Sequence, residues 1–254
     1  MPNRFLRFLE LIRFEHTLFA LPYAIAGALL AARGLPTMHV LVWILVAMVG
    51  ARTAAMTFNR LIDRRYDARN PRTAMRHSVT GVVGRSLMIT ATVLGSAVFI
   101  FAAWRLNRMA FWLSWPVLGV LLGYSWTKRH FTWTHLVLGV ALGLSPLGAW
   151  VAVQGRLDGS WAVVFLSIGV VLWTAGFDIL YAGQDIDADR RAALRSGPAR
   201  FGLSGAFRIA RILHAGVPFA FAAAGLAAGL GAPFFIAITG VALLLIHEHR
   251  LVGP

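Results

Sequence analysis

The chain has no cysteine among its 254 residues. That absence excludes disulfides, thiolate metal sites and cysteine nucleophiles. Acidic residues are scarce as well, ten in all against 24 lysines and arginines. Charged residues make up only 13 % of the sequence, and no low-complexity segment interrupts it. What remains is largely hydrocarbon: 58 % of the residues are apolar and the mean hydropathy is +0.70. This balance points to a membrane protein and away from a soluble domain.

Read in windows of about 20 residues, the length that crosses a hydrocarbon core, eight spans stand out. They lie near 17–32, 39–58, 82–104, 109–126, 134–153, 161–182, 205–229 and 231–247. All are long and rich in Leu, Ala, Val and Gly, so helices are expected rather than barrel strands. The fold class expected is an all-α polytopic transmembrane bundle, with residues 1–254 as a single integral-membrane unit. Amphipathic LRFLELIRF precedes the first span and no small-x-small site follows it, so that span does not read as a cleavable signal.

A net charge of +14 suggests nucleic acid, but its distribution argues against that partner. Arg4, Arg7 and Arg13 precede span 1; Arg60, Arg64, Arg65, Arg69, Arg72, Arg76 and Arg85 lie between spans 2 and 3. Lys128 and Arg129 follow span 4, and Arg190, Arg191, Arg195 and Arg200 follow span 6. The opposite side carries only Arg33, Arg105, Arg108 and Arg156. By the positive-inside rule the N-terminus and the mouth of any site beside these loops face the cytoplasm, as expected of a cytoplasmic-membrane protein. Part of the excess serves orientation and lipid headgroup contact. The rest is available to an anionic substrate.

Six of the ten carboxylates fall in two short clusters, each at a junction between an apolar span and an Arg-rich loop. The first, NRLIDRRYD, holds Asn59, Asp63 and Asp67 at i, i+4 and i+8, one face of a helix continuing from span 2. The second, DILYAGQDIDAD, holds Asp178, Tyr181, Asp185 and Asp189 at i, i+3, i+7 and i+11, with Asp187 beside them. The same spacing predicts one face at the end of span 6. Like charges a turn apart repel, and near lipid they are costlier still. A stripe of hard oxygens suits Mg²⁺, which bridges one or two carboxylates to substrate phosphates. Two such stripes are expected to clamp a diphosphate. The bland reading, interface carboxylates paired with nearby arginines, fits one isolated Asp better than two stripes on one side.

Cations stand beside both stripes: Arg72 and Arg76 after the first, Arg190 and Arg191 after the second, Lys128 and Arg129 at the mouth of span 4 beside Tyr124. Guanidinium grips phosphate or carboxylate bidentately, and lysine acts as a point charge. Tyr124 and Tyr181 are candidates to hydrogen-bond phosphate or line a cavity, or to serve as interface-belt tyrosines. His16 reads as an interfacial histidine. His77, His130, His135, His247 and His249 show no metal-ligand spacing, and Pro22, Pro116, Pro146 and Pro218 fall inside spans.

N59-R-L-I-D63-R-R-Y-D67, followed by N70-P-R-T-A-M-R76, resembles the first Asp-rich motif of the UbiA-type intramembrane aromatic prenyltransferases. D178-I-L-Y-A-G-Q-D185-I-D-A-D189 resembles the second, and Y124-S-W-T-K-R129 resembles the family's Tyr-x-x-x-Lys-Arg step. The resemblance runs from about residue 10 to the end. It implies a bundle around a central cavity, open sideways to membrane lipid so that a long prenyl tail can enter. It implies that Asn59, Asp63, Asp67, Asp185 and Asp189 hold Mg²⁺ and diphosphate, with Asp178 nearby. By the same resemblance Lys128, Arg72 and Arg76 neutralise phosphates or hold an aromatic acceptor's carboxylate. Arg60 at the motif's second position, with the run NPRT, looks most like the quinone branch, acting on 4-hydroxybenzoate or on 1,4-dihydroxy-6-naphthoate. Two departures stand out. R76-H-S-V-T-G81 replaces the usual Arg-Pro turn, and the family's usual ninth span would follow HEHRLVGP, so the last family helix is expected to be missing.

The resemblance implies ionisation of a polyprenyl diphosphate, exclusion of water from the allylic cation by apolar walls, and attack by the carbon ortho to a phenol hydroxyl. Asp185, Asp189 and the released diphosphate are the candidates for removing the ring proton. Two rivals fit less well. A CDP-alcohol phosphotransferase expects Gly after the second Asp, where Ala68 stands, and leaves the second stripe unexplained. An ion-coupled transporter expects acids near the bilayer midplane rather than at span ends beside arginines.

Overall fold

The computed structural model describes residues 17–158 and 161–252. Arg4, Arg7, Arg13, His16 and the amphipathic stretch before span 1 lie outside the described residues. The chain forms α1 (Thr17–Ala32), α2 (Met38–Asp67), α3 (Arg85–Leu106), α4 (Arg108–Thr127), α5 (Thr134–Gln154) and α6 (Trp161–Ala182). A 3₁₀ turn (Gly183–Asp185) and short α7 (Ile186–Arg191) come next, then α8 (Gly197–Ala228) and α9 (Ala232–Val252). No strand occurs among the described residues. Seven helices are long and apolar enough to cross a membrane: α2 to α5, α6 running on into α7, α8 and α9. α1 is apolar but shorter in its described part. The eight expected spans each coincide with one of these helices.

Two boundaries differ from the apolar windows, and each difference shapes the site. α2 runs on to Asp67, so the first motif is helical and its three polar residues share a face as expected. α8 begins at Gly197, well before its apolar window. The Ser196 hydroxyl caps it by accepting the Ala199 N–H, with Pro198 in the first turn. Gly202, at φ +71°, interrupts it in a conformation open to glycine. The second motif is not one continuous helical face. The 3₁₀ turn winds three residues per turn instead of 3.6, which rotates the residues after it by about 60°. Asp189 therefore stands rotated from the line of Asp178 and Tyr181, yet within the field of Asp185, Lys128 and His135.

The packed interior is built from small side chains, as expected where lipid removes the hydrophobic drive between helices and close contact must replace it. α2 crosses α3 backbone to backbone: a Cβ at Gly50 would lie 2.7 Å from Phe99 N, and one at Gly95 would lie 2.7 Å from Ala54 N. Thr57 and Thr92 hydroxyls add a 2.8 Å hydrogen bond across that crossing. α1 and α5 meet through Ala24, Ala28 and Ala149, while α6 meets α8 through Ile179, Ala206 and Ala210. Large apolar residues such as Ile212, Phe219, Leu226, Leu243 and Leu244 point outward, where lipid replaces water as their solvent. At the end away from the motifs, Asn107 caps α4 through the Ala110 N–H at 2.8 Å. Its amide also donates to the Val151 and Ala152 carbonyls near the end of α5.

Candidate active site

The first motif sits on the last two turns of α2, facing the C-terminal end of α4. Asp63 is buried and central. It accepts from Lys128 Nζ at 2.7 Å, from Arg129 at 3.4 Å and from the Asn59 amide at 3.0 Å. Asn59 also donates to Ser125 Oγ at 3.2 Å. Both Asn59 bonds use the amide nitrogen, which leaves the carbonyl oxygen for a ligand. Arg129 reaches the Ile62 carbonyl and lies over the Tyr66 ring, 5.0 Å from its centroid. One turn on, Asp67 accepts from Arg76 at 2.7 Å. The other oxygen, Oδ2, is buried without a hydrogen-bond partner.

The loop after α2 carries the first motif across to the second. Asn70 donates to Asp185 Oδ1 at 2.7 Å. Arg72 grips the same carboxylate with two nitrogens, Nε at 2.8 Å and Nη2 more closely. It also donates to the Tyr181 hydroxyl at 2.9 Å and lies over that ring. The hydrogen bond to Asp185 raises the Arg72 pKa above the ordinary arginine value, so the pair stays ionised. Residues more than one hundred positions apart thus share one cluster.

Asp178 lies two turns deeper on α6. Its Oδ2 meets His135 Nδ1 at 2.6 Å. Asp189, on α7, lies near Ser196 and stands in the field of Lys128 and Asp185. Asp187 and Arg190 are exposed. Tyr124, on α4, is coupled electrostatically to Arg52, Arg60 and Asp63. Among the described residues no group of three or more His, Asp or Glu is close enough to hold a metal ion alone. A divalent ion here would need oxygens from a ligand as well, which is how Mg²⁺ is usually bound beside phosphates.

Several partners are not evident from the motifs. Arg52 precedes Asn59 by seven residues, which puts it on the same α2 face at greater depth. That spacing is the signal the sequence offers for it. Arg60 is buried despite its charge. Trp173, Phe177 and Tyr181, spaced i, i+4, i+8, stack successively with centroids 5.9 and 6.3 Å apart, and Tyr23 of α1 lies 6.0 Å from Trp173. Beside this stripe opens a pocket of about 410 Å³, walled by Leu180, Leu203, Phe207 and Val252 and edged by Gln184 and Glu248. Lys128 is the only lysine in the chain.

Comparison with known proteins bears on the family and the fold. Residues 20–254 match the UbiA prenyltransferase family. A 4-hydroxybenzoate octaprenyltransferase from Aromatoleum aromaticum is 31 % identical over 228 residues, covering 88 % of this chain and 75 % of its own length. The apo structure of a UbiA homolog from Aeropyrum pernix K1 superposes with a TM-score of 0.86 at 37 % identity, covering 93 % of this chain and 88 % of that one. A UbiA homolog from Archaeoglobus fulgidus, solved with GPP and Mg²⁺, shares the fold at a TM-score of 0.77 and 19 % identity, covering 96 % of this chain and 86 % of that one. The motifs, the helical bundle and these likenesses agree: the chain is an integral membrane protein that belongs to the UbiA prenyltransferase family.

Proposed function

We propose that this enzyme transfers a polyprenyl group from its diphosphate to the ring of a hydroxylated aromatic acid of the 4-hydroxybenzoate type, at the cytoplasmic face of the cytoplasmic membrane. The observation that carries the reading is the bridge from Asn70 and Arg72 to Asp185, which joins the loop of one Asp motif to the other motif. A diphosphate needs cations and metal-binding oxygens in one place, and that bridge gathers both. The relative from Aromatoleum aromaticum supports a 4-hydroxybenzoate acceptor, and the Archaeoglobus fulgidus homolog, bound to GPP, supports a prenyl diphosphate donor.

The donor set fits Mg²⁺: hard carboxylate oxygens, the Asn59 carbonyl and the orphaned Asp67 Oδ2. Asn59, Asp63 and Asp67 would hold an ion on one side, Asp185 and Asp189 on the other. When bound, the metal withdraws charge from the diphosphate as a Lewis acid and makes it a better leaving group. Lys128, Arg72 and Arg76 turn from their carboxylates to phosphate oxygens as the ligand enters. The Trp173, Phe177 and Tyr181 faces run from the bonded cluster toward α1, a path of apolar surface for the prenyl tail. Their π-faces attract an allylic cation by about 2 kcal/mol or more where water is excluded. Arg52, deeper on α2, takes the acceptor's carboxylate and turns the phenol toward the reacting carbon.

The test is prenyl transfer by purified protein in lipid nanodiscs, with Mg²⁺, GPP, and 4-hydroxybenzoate or 1,4-dihydroxy-6-naphthoate offered separately. Metal-dependent product from one acceptor, lost in Asp63→Ala and Asp185→Ala, is expected. A well-folded sample that binds no GPP would sink the reading and bring an ion-coupled transporter forward.

A further inference from the structure

His135 is almost fully buried, 4 % exposed, in the first turn of α5. Both of its ring nitrogens are engaged. Nε2 accepts the backbone N–H of Gly197, the first residue of α8, at 3.0 Å. An acceptor nitrogen carries no proton, so the ring is neutral and its one proton sits on Nδ1. Nδ1–H therefore donates to Asp178 Oδ2 across 2.6 Å. The backbone amide fixes the tautomer, and the tautomer fixes the carboxylate.

This makes Asp178 unlike its neighbours. Asp63 has Lys128 and Arg129, Asp67 has Arg76, and Asp185 has Arg72. Asp178 has a neutral donor on one oxygen, and its side chain remains 30 % exposed. Asn70 and Arg72 occupy both oxygens of Asp185, whereas Asp178 is bonded through Oδ2 and offers Oδ1 to a proton. Depth points the same way. Asp178 precedes Asp185 by seven residues, about 10 Å along the helix axis, on the face that carries Tyr181. If the diphosphate sits at Asp185, Asp178 lies too deep to share it and at the level of the reacting carbons. Asp189 stands in the field of Lys128 and beside Asp185, with which it is assigned to the ion and the diphosphate.

Resting on the prenyl-transfer reading, we propose that Asp178 takes the proton released by the acceptor ring and that His135 is the positioning residue that aims it. The ring carbon ortho to the hydroxyl forms a bond to C1 of the prenyl group as the C1–O bond breaks and its electron pair leaves with diphosphate. The ring is then an arenium cation with hydrogen still on the alkylated carbon. That C–H electron pair returns to the ring, the proton passes to Asp178, and the products are a neutral ring and a carboxylic acid. Water takes the proton after the product departs.

Two variants of one residue separate aiming from anchoring. In His135→Asn the amide nitrogen falls where Nδ1 was and keeps the donation to Asp178, while the acceptor for Gly197 is lost. In His135→Gln the amide reaches the Nε2 position and keeps Gly197 but abandons Asp178. Each is assayed in nanodiscs beside wild type and Asp178→Asn, using GPP and 4-hydroxybenzoate with hydrogen or deuterium at both carbons ortho to the hydroxyl. Asp178→Asn is expected to lose about a hundredfold in kcat with KM for GPP unchanged. His135→Gln is expected to lose about tenfold or more and to expose a deuterium isotope effect on kcat that wild type lacks. His135→Asn is expected to stay within about threefold of wild type. GPP binding equal to wild type in both shows an intact site. An isotope effect unchanged in His135→Gln, or His135→Asn as impaired as His135→Gln, overturns the assignment and leaves His135 an anchor for α8. A wild type that yields no product with either acceptor speaks against prenyl transfer itself, and the assignment falls with it.

Discussion

Lys128 Nζ reaches Asp63 across 2.7 Å, so the chain's single lysine is spent on its most enclosed site carboxylate. The pair joins the end of α4 to the last turns of α2. Lysine at this point offers a mobile point charge that can leave Asp63 for phosphate; arginine would offer a planar fork that holds it.

Replacing Lys128 by Met removes that charge and leaves Asp63 with Arg129 at a longer 3.4 Å and the Asn59 amide. Affinity for GPP is expected to fall by about tenfold or more, since charged hydrogen bonds contribute roughly 1.5–3 kcal/mol. Lys128→Arg is expected to bind GPP but turn over slowly. Calorimetric titration of GPP alongside steady-state kcat distinguishes the two; unchanged affinity in Lys128→Met would remove Lys128 from the diphosphate site.

Arg72 and Asp185 are expected to act as one unit. A double-mutant cycle with Arg72→Gln and Asp185→Asn, read as thermal stability in detergent, should show a coupling of about 1 kcal/mol. The pair is partly exposed, which keeps the figure small. Arg72→Lys keeps the charge but loses the fork and the bond to Tyr181, so its GPP affinity should fall as well. Independent effects in the cycle would mean that the bridge between the motifs is incidental.

Arg52 is expected to govern the acceptor and not the donor. Arg52→Gln should raise KM for 4-hydroxybenzoate about tenfold or more and leave GPP affinity as in wild type. Comparable loss of both would put Arg52 at the diphosphate.

The crossing of α2 and α3 leaves no room for a Cβ at Gly50 or Gly95. Gly95→Ala should destabilise the protein by about 1–3 kcal/mol, seen as a lower melting temperature with site chemistry otherwise intact. Gly240→Ala in α9, where a Cβ meets nothing within 4 Å, is the control that should melt as wild type does.

The spans and the first motif are legible in the sequence because both rest on short-range periodicity. A run of apolar residues predicts a helix, and Asn59, Asp63 and Asp67 share a face as soon as that helix continues. The second motif misleads for a local reason: nothing in the letters GQD marks a 3₁₀ turn, so the spacing reads as one continuous helix a segment that the turn interrupts. His135 is illegible for the opposite reason. Its partners, Asp178 and Gly197, come from α6 and α8, and only packing reveals them. His214 is a similar case: it bonds His249 at 3.0 Å and the Trp173 carbonyl at 3.1 Å, fixing α9 and α6 to α8. Periodicity reports what one helix shows to its neighbours, not which neighbours it has.

The amide of Asn107 has one more consequence. At a single point it holds the start of α4 and the end of α5, on the side of the bundle remote from the Asp motifs. Two rods tied at one end only would scissor; these are tied at both. At the far end the Thr127 and Thr134 hydroxyls share a hydrogen bond of 2.5 Å, between the last residue of α4 and the first of α5. Lys128, one residue past α4, and His135, in the first turn of α5, therefore keep a fixed spacing at the face where the chemistry is.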